Sequence, residues 1–335
     1  MTAMTAVQGE ASGTGPFWRR PWRRPISQLT PVGQDERRPA GPRRSLRPWQ
    51  RFRRAGWPYL FIAPFLVVFV AFSVYPMLFT LRLSFTRWHG TGLAQWVGLN
   101  NYAYLLTNPA FWASLKNSAA LWLLVLPAQI VLALAIAVLL NNTALKLRGF
   151  YRVAAIVPFV TPLVAVAQIW VVLFDRDYGV INHILNLFGL PDVGWLVTST
   201  WSKPTLALLF IWKTTGFIMI ILLSGLQAIE PAFYEAATID GAGRARQISA
   251  ITLPLLRRTL MFAVVMQTLA VFQMFTEPYV VTEGGPYSST TTAGLYLYNH
   301  INRADLGTGS ANSFLLVIIM VGLSLVFVRL LRPKD

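Results

Sequence analysis

Apolar residues run in long blocks along this chain, and six blocks reach the roughly 20 residues that a helix needs to cross a ~30 Å hydrocarbon core. They cover residues 59–85, 118–140, 151–174, 205–228, 259–282 and 312–331. No water reaches that core to satisfy an open backbone, so each block is predicted to be a helix that closes its own hydrogen bonds. Prolines at 64, 76, 127, 158, 162 and 278 sit inside or near the ends of the blocks. Membrane helices accommodate them by local adjustment, so several are expected to be kinked.

Composition agrees with the pattern. Hydrophobic residues make up 55% of the 335 and charged residues 13%, with a mean hydropathy of +0.50, which nearly excludes a water-soluble enzyme. The expected fold class is an all-α polytopic membrane protein with six transmembrane helices. A formal charge of +16 by itself suggests an anionic partner. Position qualifies that: 12 of the 29 Lys and Arg precede residue 58. Residues 1–57 are rich in Pro, Arg, Gly and Ser without a sustained period, so they are expected to form a disordered tail, with 58–335 as the membrane domain. The tail lacks a reader module for nucleic acid and reads as a solvated arm beside anionic headgroups. Nor is it a secretory signal, because the first apolar block is about twice as long as a signal's core. There is no cysteine, hence no disulfide or thiolate site.

The remaining basic residues orient the spans. Lys146, Arg148, Arg152, Arg244, Arg246, Arg257, Arg258, Arg329, Arg332 and Lys334 fall on the tail's side, against Arg87, Lys116, Arg176, Lys203 and Arg303 on the other. By the positive-inside rule both termini are expected to be cytoplasmic.

Among the loops, 229–258 has structure of its own. Pro231 is well placed as a first helical residue, and good helix formers continue to Ile239. Gly241 and Gly243 then permit a turn, after which a second short helix leads through Leu253 and Pro254 into the fifth span. Two short helices around a glycine corner would protrude from the membrane face, with or without a partner.

Glu235-Ala236-Ala237, then Asp240-Gly241-Ala242, then Ile251-Thr252-Leu253-Pro254 resembles the EAA loop of permease subunits in bacterial carbohydrate-uptake ABC importers. The resemblance covers roughly 59–331. It includes Val97 to Tyr102, Asp177 to Asn182, Trp212 to Phe217, Gly225 to Ile229 and Gly284-Gly285-Pro286 with Ser288 to Thr292. It implies the MetI-like, type I importer fold and a multi-pass place in the bacterial cytoplasmic (inner) membrane. It also implies a second permease subunit as heterodimer partner, two ATPase subunits carrying ATP and magnesium, and an external solute-binding protein. The EAA loop would be the coupling helix seated in an ATPase cleft. Glu235, Ala236, Ala237, Asp240, Gly241, Ile248, Leu253 and Pro254 would serve that coupling, with Gly241 at the corner and Ile248 on the docking side. The chain departs from the family where Ala245 and Ile248 replace common aromatics and Arg258 a common proline.

The chain's own chemistry is sparse. None of its five lysines follows a glycine, as a phosphate-wrapping P-loop requires. His89, His183 and His300 lack metal-ligand spacing. It reads as a non-enzyme that binds no cofactor itself. Intramembrane polar residues point to a pathway: Lys213 and Glu277, with Trp212, Gln267, Gln273 and Thr276 as stacking face and hydrogen-bonding groups for a polyhydroxylated ligand. A structural pairing or snorkelling of Lys213 is the competing reading. The function expected is a permease for a sugar or sugar-like solute, glycerol phosphate and glycerophosphodiesters included. A secondary transporter or channel without ATPase partners is the alternative.

Overall fold

The computed structural model describes residues 61–142 and 145–331. The tail at 1–57 lies outside the described residues, as do the basic side chains at 332 and 334. The chain divides into units 1–66 and 67–335; the described part of the first, 61–66, is helical.

Helix α1 (Phe61–Ser84) carries a π turn at Val70–Val74 and ends in a small antiparallel ribbon, β1 (Thr86–Arg87) with β2 (Gln95–Trp96). Next come α2 (Asn100–Thr107) and α3 (Pro109–Asn141). The pair α4 (Arg148–Val160) and α5 (Leu163–Leu173) follows, then α6 (Val180–Leu187) and α7 (Ser199–Gln227). The second half comprises α8 (Pro231–Ile239), α9 (Arg244–Gln247), a π turn at Ile248–Thr252, α10 (Leu253–Phe272), α11 (Thr276–Val281), α12 (Ala293–Asn302) and α13 (Leu306–Leu331).

Among the described residues, five helices are long and apolar enough to cross a membrane, and the α4–α5 pair makes a sixth if counted as one bent span. The second, fourth and sixth expected blocks recur as α3, α7 and α13, each with an earlier start. Helix α3 starts nine residues before residue 118 because Asn108 caps it, its side-chain oxygen accepting from Ala110 N at 2.9 Å with Pro109 in the first turn. The apolar block marks only the part of a helix that lipid demands.

Helix α7 is central. Buried residues make up 61% of its apolar stretch, against 33% for α3 and 6% for α13. It packs along α3, α4 and α10. One core cluster joins Leu121 and Val125 of α3 to Leu206, Leu209 and Phe210 of α7 and Val271 of α10. A second joins Ala133 and Ala137 to Ile218, Met219 and Leu222, with Leu256 and Ala263. The small alanines of α3 let the helix backbones approach, as membrane packing without a strong hydrophobic drive favours.

The third block, expected as one kinked span, is broken: α4 and α5 meet at 92°. Two prolines cause this. Pro158 lies inside α4 and Pro162 just beyond it, so two N–H donors are missing from adjoining turns, and Thr161 before Pro162 is extended at φ −65, ψ 144. Where α4 crosses α7, Gly216 leaves no room for a side chain: an added Cβ would collide with the Ala155 carbonyl oxygen. Gly216→Val is therefore expected to lower stability by about 1–3 kcal/mol or more, since backbone must move. Thermal unfolding in detergent checks this, with Gly322→Ala as control. The added methyl of that control meets nothing within 4 Å, so it should be neutral or stabilise by up to about 1 kcal/mol.

Candidate functional site

The 229–258 loop is a hairpin whose two arms are tied together. Helix α8 begins with Pro231 in its first turn and has no buried residue. Ile239 is 86% exposed, and Glu235, Ala236 and Asp240 are exposed while Ala237 is half-buried. Gly241 turns the corner at φ +75, where an L side chain is strained. Its N–H donates to Thr238 O at 3.1 Å, and Ala242 N donates to Ala237 O at 2.8 Å, which satisfies the last carbonyls of α8. From the second arm, Gln247 Nε2 donates to Thr238 Oγ1 (3.1 Å) and Ala242 O (3.0 Å). The hydroxyls of Tyr234 and Thr252 meet at 3.0 Å. These cross-ties make the hairpin a unit that moves as one body.

Ile248 opens the π turn that follows the second arm. It is half-buried and, with Tyr234, Gln247 and Thr252, lines a cavity of about 450 Å³ at the hairpin's base. Leu253 and Pro254 are exposed at the start of α10.

Lys213 is 8% exposed and faces the break between α4 and α5. Its Nζ donates to the carbonyl oxygens of Thr161 (2.7 Å), Pro158 (3.1 Å) and Phe159 (3.2 Å). A helix end leaves its last carbonyls without intrahelical donors, and here the prolines remove two further donors. The ammonium, with three N–H donors, satisfies the carbonyls and complements the negative end of the α4 dipole. Glu277, 5% exposed on α11, makes no ion pair with it: among the described residues the one salt bridge is His300–Asp305. Trp212, beside Lys213 in the chain, is 44% exposed and tilts against Trp170 at 5.9 Å.

Gln267 points elsewhere. It is 3% exposed, and its Nε2 lies 3.5 Å from Thr214 Oγ1. The same oxygen accepts from Gln129 Nε2 at 2.7 Å. Three spans, α3, α7 and α10, thus meet in a polar knot. Gln129 Oε1 is buried with no hydrogen-bond partner among the described residues, at a cost of about 1–3 kcal/mol. Sequence reasoning missed Gln129. The signal was a glutamine amid the apolar residues of α3, in a chain where attention went to charges.

Gln273 and Thr276 do not join the knot. Gln273 is exposed and, with Phe275, Tyr298, Ser313 and Met320, lines a separate cavity of about 380 Å³ between α10, α12 and α13. The rings of Phe275 and Tyr298 lie 4.6 Å apart, and those of Tyr279 and Tyr298 5.1 Å. A hydrogen bond with Tyr279 pushes the Tyr298 phenol above its usual range. Thr276 is half-buried at the first turn of α11. Of the six candidate residues, Lys213 therefore stands at the break, Gln267 in the knot and Gln273 on this aromatic wall.

Residues 129–332 match the family described as "Binding-protein-dependent transport system inner membrane component". The chain is similar to the sulfoquinovosyl glycerol transport system permease protein SmoG of Agrobacterium fabrum, at 33% identity over 82% of this chain and 90% of that protein. It is also similar to the trehalose/maltose transport system permease protein MalF of Thermococcus litoralis, at 34% identity over 84% of this chain and 96% of that protein. A crystal structure of a bacterial alginate ABC transporter in complex with an alginate pentasaccharide-bound periplasmic protein has a chain that superposes with a TM-score of 0.74. The two chains are 25% identical, over 86% of this chain and 98% of that one.

Proposed function

The chain belongs to the family of binding-protein-dependent transport system inner membrane components, and from that membership we propose that it forms half of the pathway of an ATP-driven importer for a sugar or sugar-like solute. The observation that carries this reading is the hairpin around Gly241. It is exposed, lies between two spans and is cross-tied into one body, as an element pushed by a separate motor must be. Two ATPase subunits, binding ATP and magnesium, would seat α8 and be touched by Glu235, Ala236 and Asp240. Leu253 and Pro254 would pass the motion into α10. A second permease completes the pathway, and an external binding protein delivers the solute. The hairpin, both termini and most basic residues then lie on the cytoplasmic side of the inner membrane.

Relatives named for sulfoquinovosyl glycerol, trehalose/maltose and lactose transport favour a small glycoside as cargo. The knot of Gln129, Thr214 and Gln267 would offer it hydrogen bonds at depth, and Trp212 an aromatic face. ATP-dependent uptake of labelled disaccharides tests the reading, in vesicles holding the chain with a partner permease, ATPase and binding protein. Solute exchange by this chain alone would overturn it.

Gln129→Leu separates pathway from scaffold. Removing an amide whose oxygen is already unpaired should leave stability unchanged or slightly higher, while uptake falls about tenfold or more, the equivalent of one hydrogen bond to cargo. Thermal unfolding and initial uptake rates, measured side by side, check it.

A further inference from the structure

The cavity at the hairpin's base has a makeup that the coupling role does not use. Ala135, Val138 and Leu139 of α3, Leu226 of α7 and Ile248 give it apolar walls, and Arg244 is the one charged residue lining it. Arg244 is exposed, and no ion pair or hydrogen bond of its guanidinium occurs among the described residues. Among the described residues, no acidic side chain lines the cavity. A second cation stands at the same end of α3: Arg152 Nη2 donates to Leu140 O at 3.3 Å, and its Nε is buried without a partner among the described residues.

Depth points to the occupant. The apolar block of α3 runs to Leu140 and the helix itself ends at Asn141, so its last turn stands at the edge of the hydrocarbon core, where the headgroup layer begins. Exposed Ala135 and Leu139 make one wall continuous with the open apolar side of this span. A ligand reaching the cavity from the bilayer would be amphiphilic, with its tail along these residues and an anionic head at Arg244. We propose that the cavity is a binding site for one anionic phospholipid of the hairpin-side leaflet, its phosphate held by Arg244 and an acyl chain seated between α3 and Ile248. Basic pockets between spans on this side of a membrane suit such headgroups. The lipid would then lie under the hairpin like a wedge, linking leaflet composition to hairpin position. The inference needs the membrane setting of the family but not the motor reading above.

The test uses the full-length chain purified in detergent and native mass spectrometry. Phosphatidylglycerol and phosphatidylcholine with identical acyl chains are titrated separately. The native chain is expected to retain phosphatidylglycerol about fivefold more strongly, the preference that one basic side chain gives an anionic headgroup. Arg244→Gln should bring the ratio close to one, whereas Arg258→Gln, an exposed arginine beyond the cavity, should leave it. Ala135→Phe, which fills the groove from its exposed side, should reduce retention of both lipids. Equal losses from Arg244→Gln and Arg258→Gln, or full retention in Ala135→Phe, would overturn the site. Failure of ATP-driven uptake in vesicles would leave these binding results untouched, so the two readings fail separately.

Discussion

A Lys213→Met chain is expected to lose about 3–5 kcal/mol of stability and to open the third span at its break. Two effects oppose each other. Removing a buried ammonium ends its desolvation cost, which by itself would stabilise. Against this, methionine keeps the stem but has no donor. The oxygens of Phe159 and Thr161, now 3.2 and 2.7 Å from Nζ, would face an apolar interior unpaired, at about 1–3 kcal/mol each, while that of Pro158 would keep only the Thr161 hydroxyl at 2.6 Å. The carbonyls outweigh the charge because two of them lose their donor outright, the third loses one of two, and Pro162 has no N–H to help. Thermal unfolding in detergent reads the total. The location can be read too, since the chain has no cysteine of its own. A single Thr161→Cys probe should react about tenfold faster or more in the Lys213→Met background, the change that ~1.4 kcal/mol of easier local opening produces. Lys213→Arg keeps donors and charge and should recover most of the loss. Native stability and labelling in Lys213→Met would show that the break holds itself.

Gly241→Asp should abolish most sugar-stimulated ATP hydrolysis and uptake, by about tenfold or more, while membrane insertion stays normal. The added Cβ meets nothing within 4 Å, so space is no obstacle. The backbone at φ +75 does resist a side chain, yet Asp and Asn tolerate that region better than other residues, and the strain should stay near 1 kcal/mol. What remains is a carboxylate placed on an exposed corner. If that corner is buried against an ATPase, an unpaired charge costs about 2–5 kcal/mol. Gly241→Asn has the same backbone strain without the charge and should retain a substantial part of uptake. ATPase assays of the three complexes decide. Equal uptake in all of them would remove the hairpin from the coupling route.

Much of the scaffold could be read before any coordinates. Block length located the spans, and Pro231, Asp240 and Gly241 marked the hairpin's start and corner, because capping and positive φ are local matters. The six pathway candidates fared differently. Lys213 was conspicuous as a charge in a span, but nothing near it in sequence reveals that its partners lie some fifty residues away at Pro158 and Thr161. Gln129 was missed because a single amide does little to the hydropathy of α3.

The amino-acid order alone therefore determines an α-helical membrane chain, the register of its spans and a protruding loop with a glycine corner. These follow from lipid's demand for closed backbone hydrogen bonds and from the short-range preferences of proline and glycine. Which buried polar groups meet was decided by packing around α7, which turns Lys213 toward the severed end of α4 and brings Gln129, Thr214 and Gln267 together. Those contacts join segments far apart in the chain, and a pattern of local preferences carries no information about which distant donor will find which acceptor.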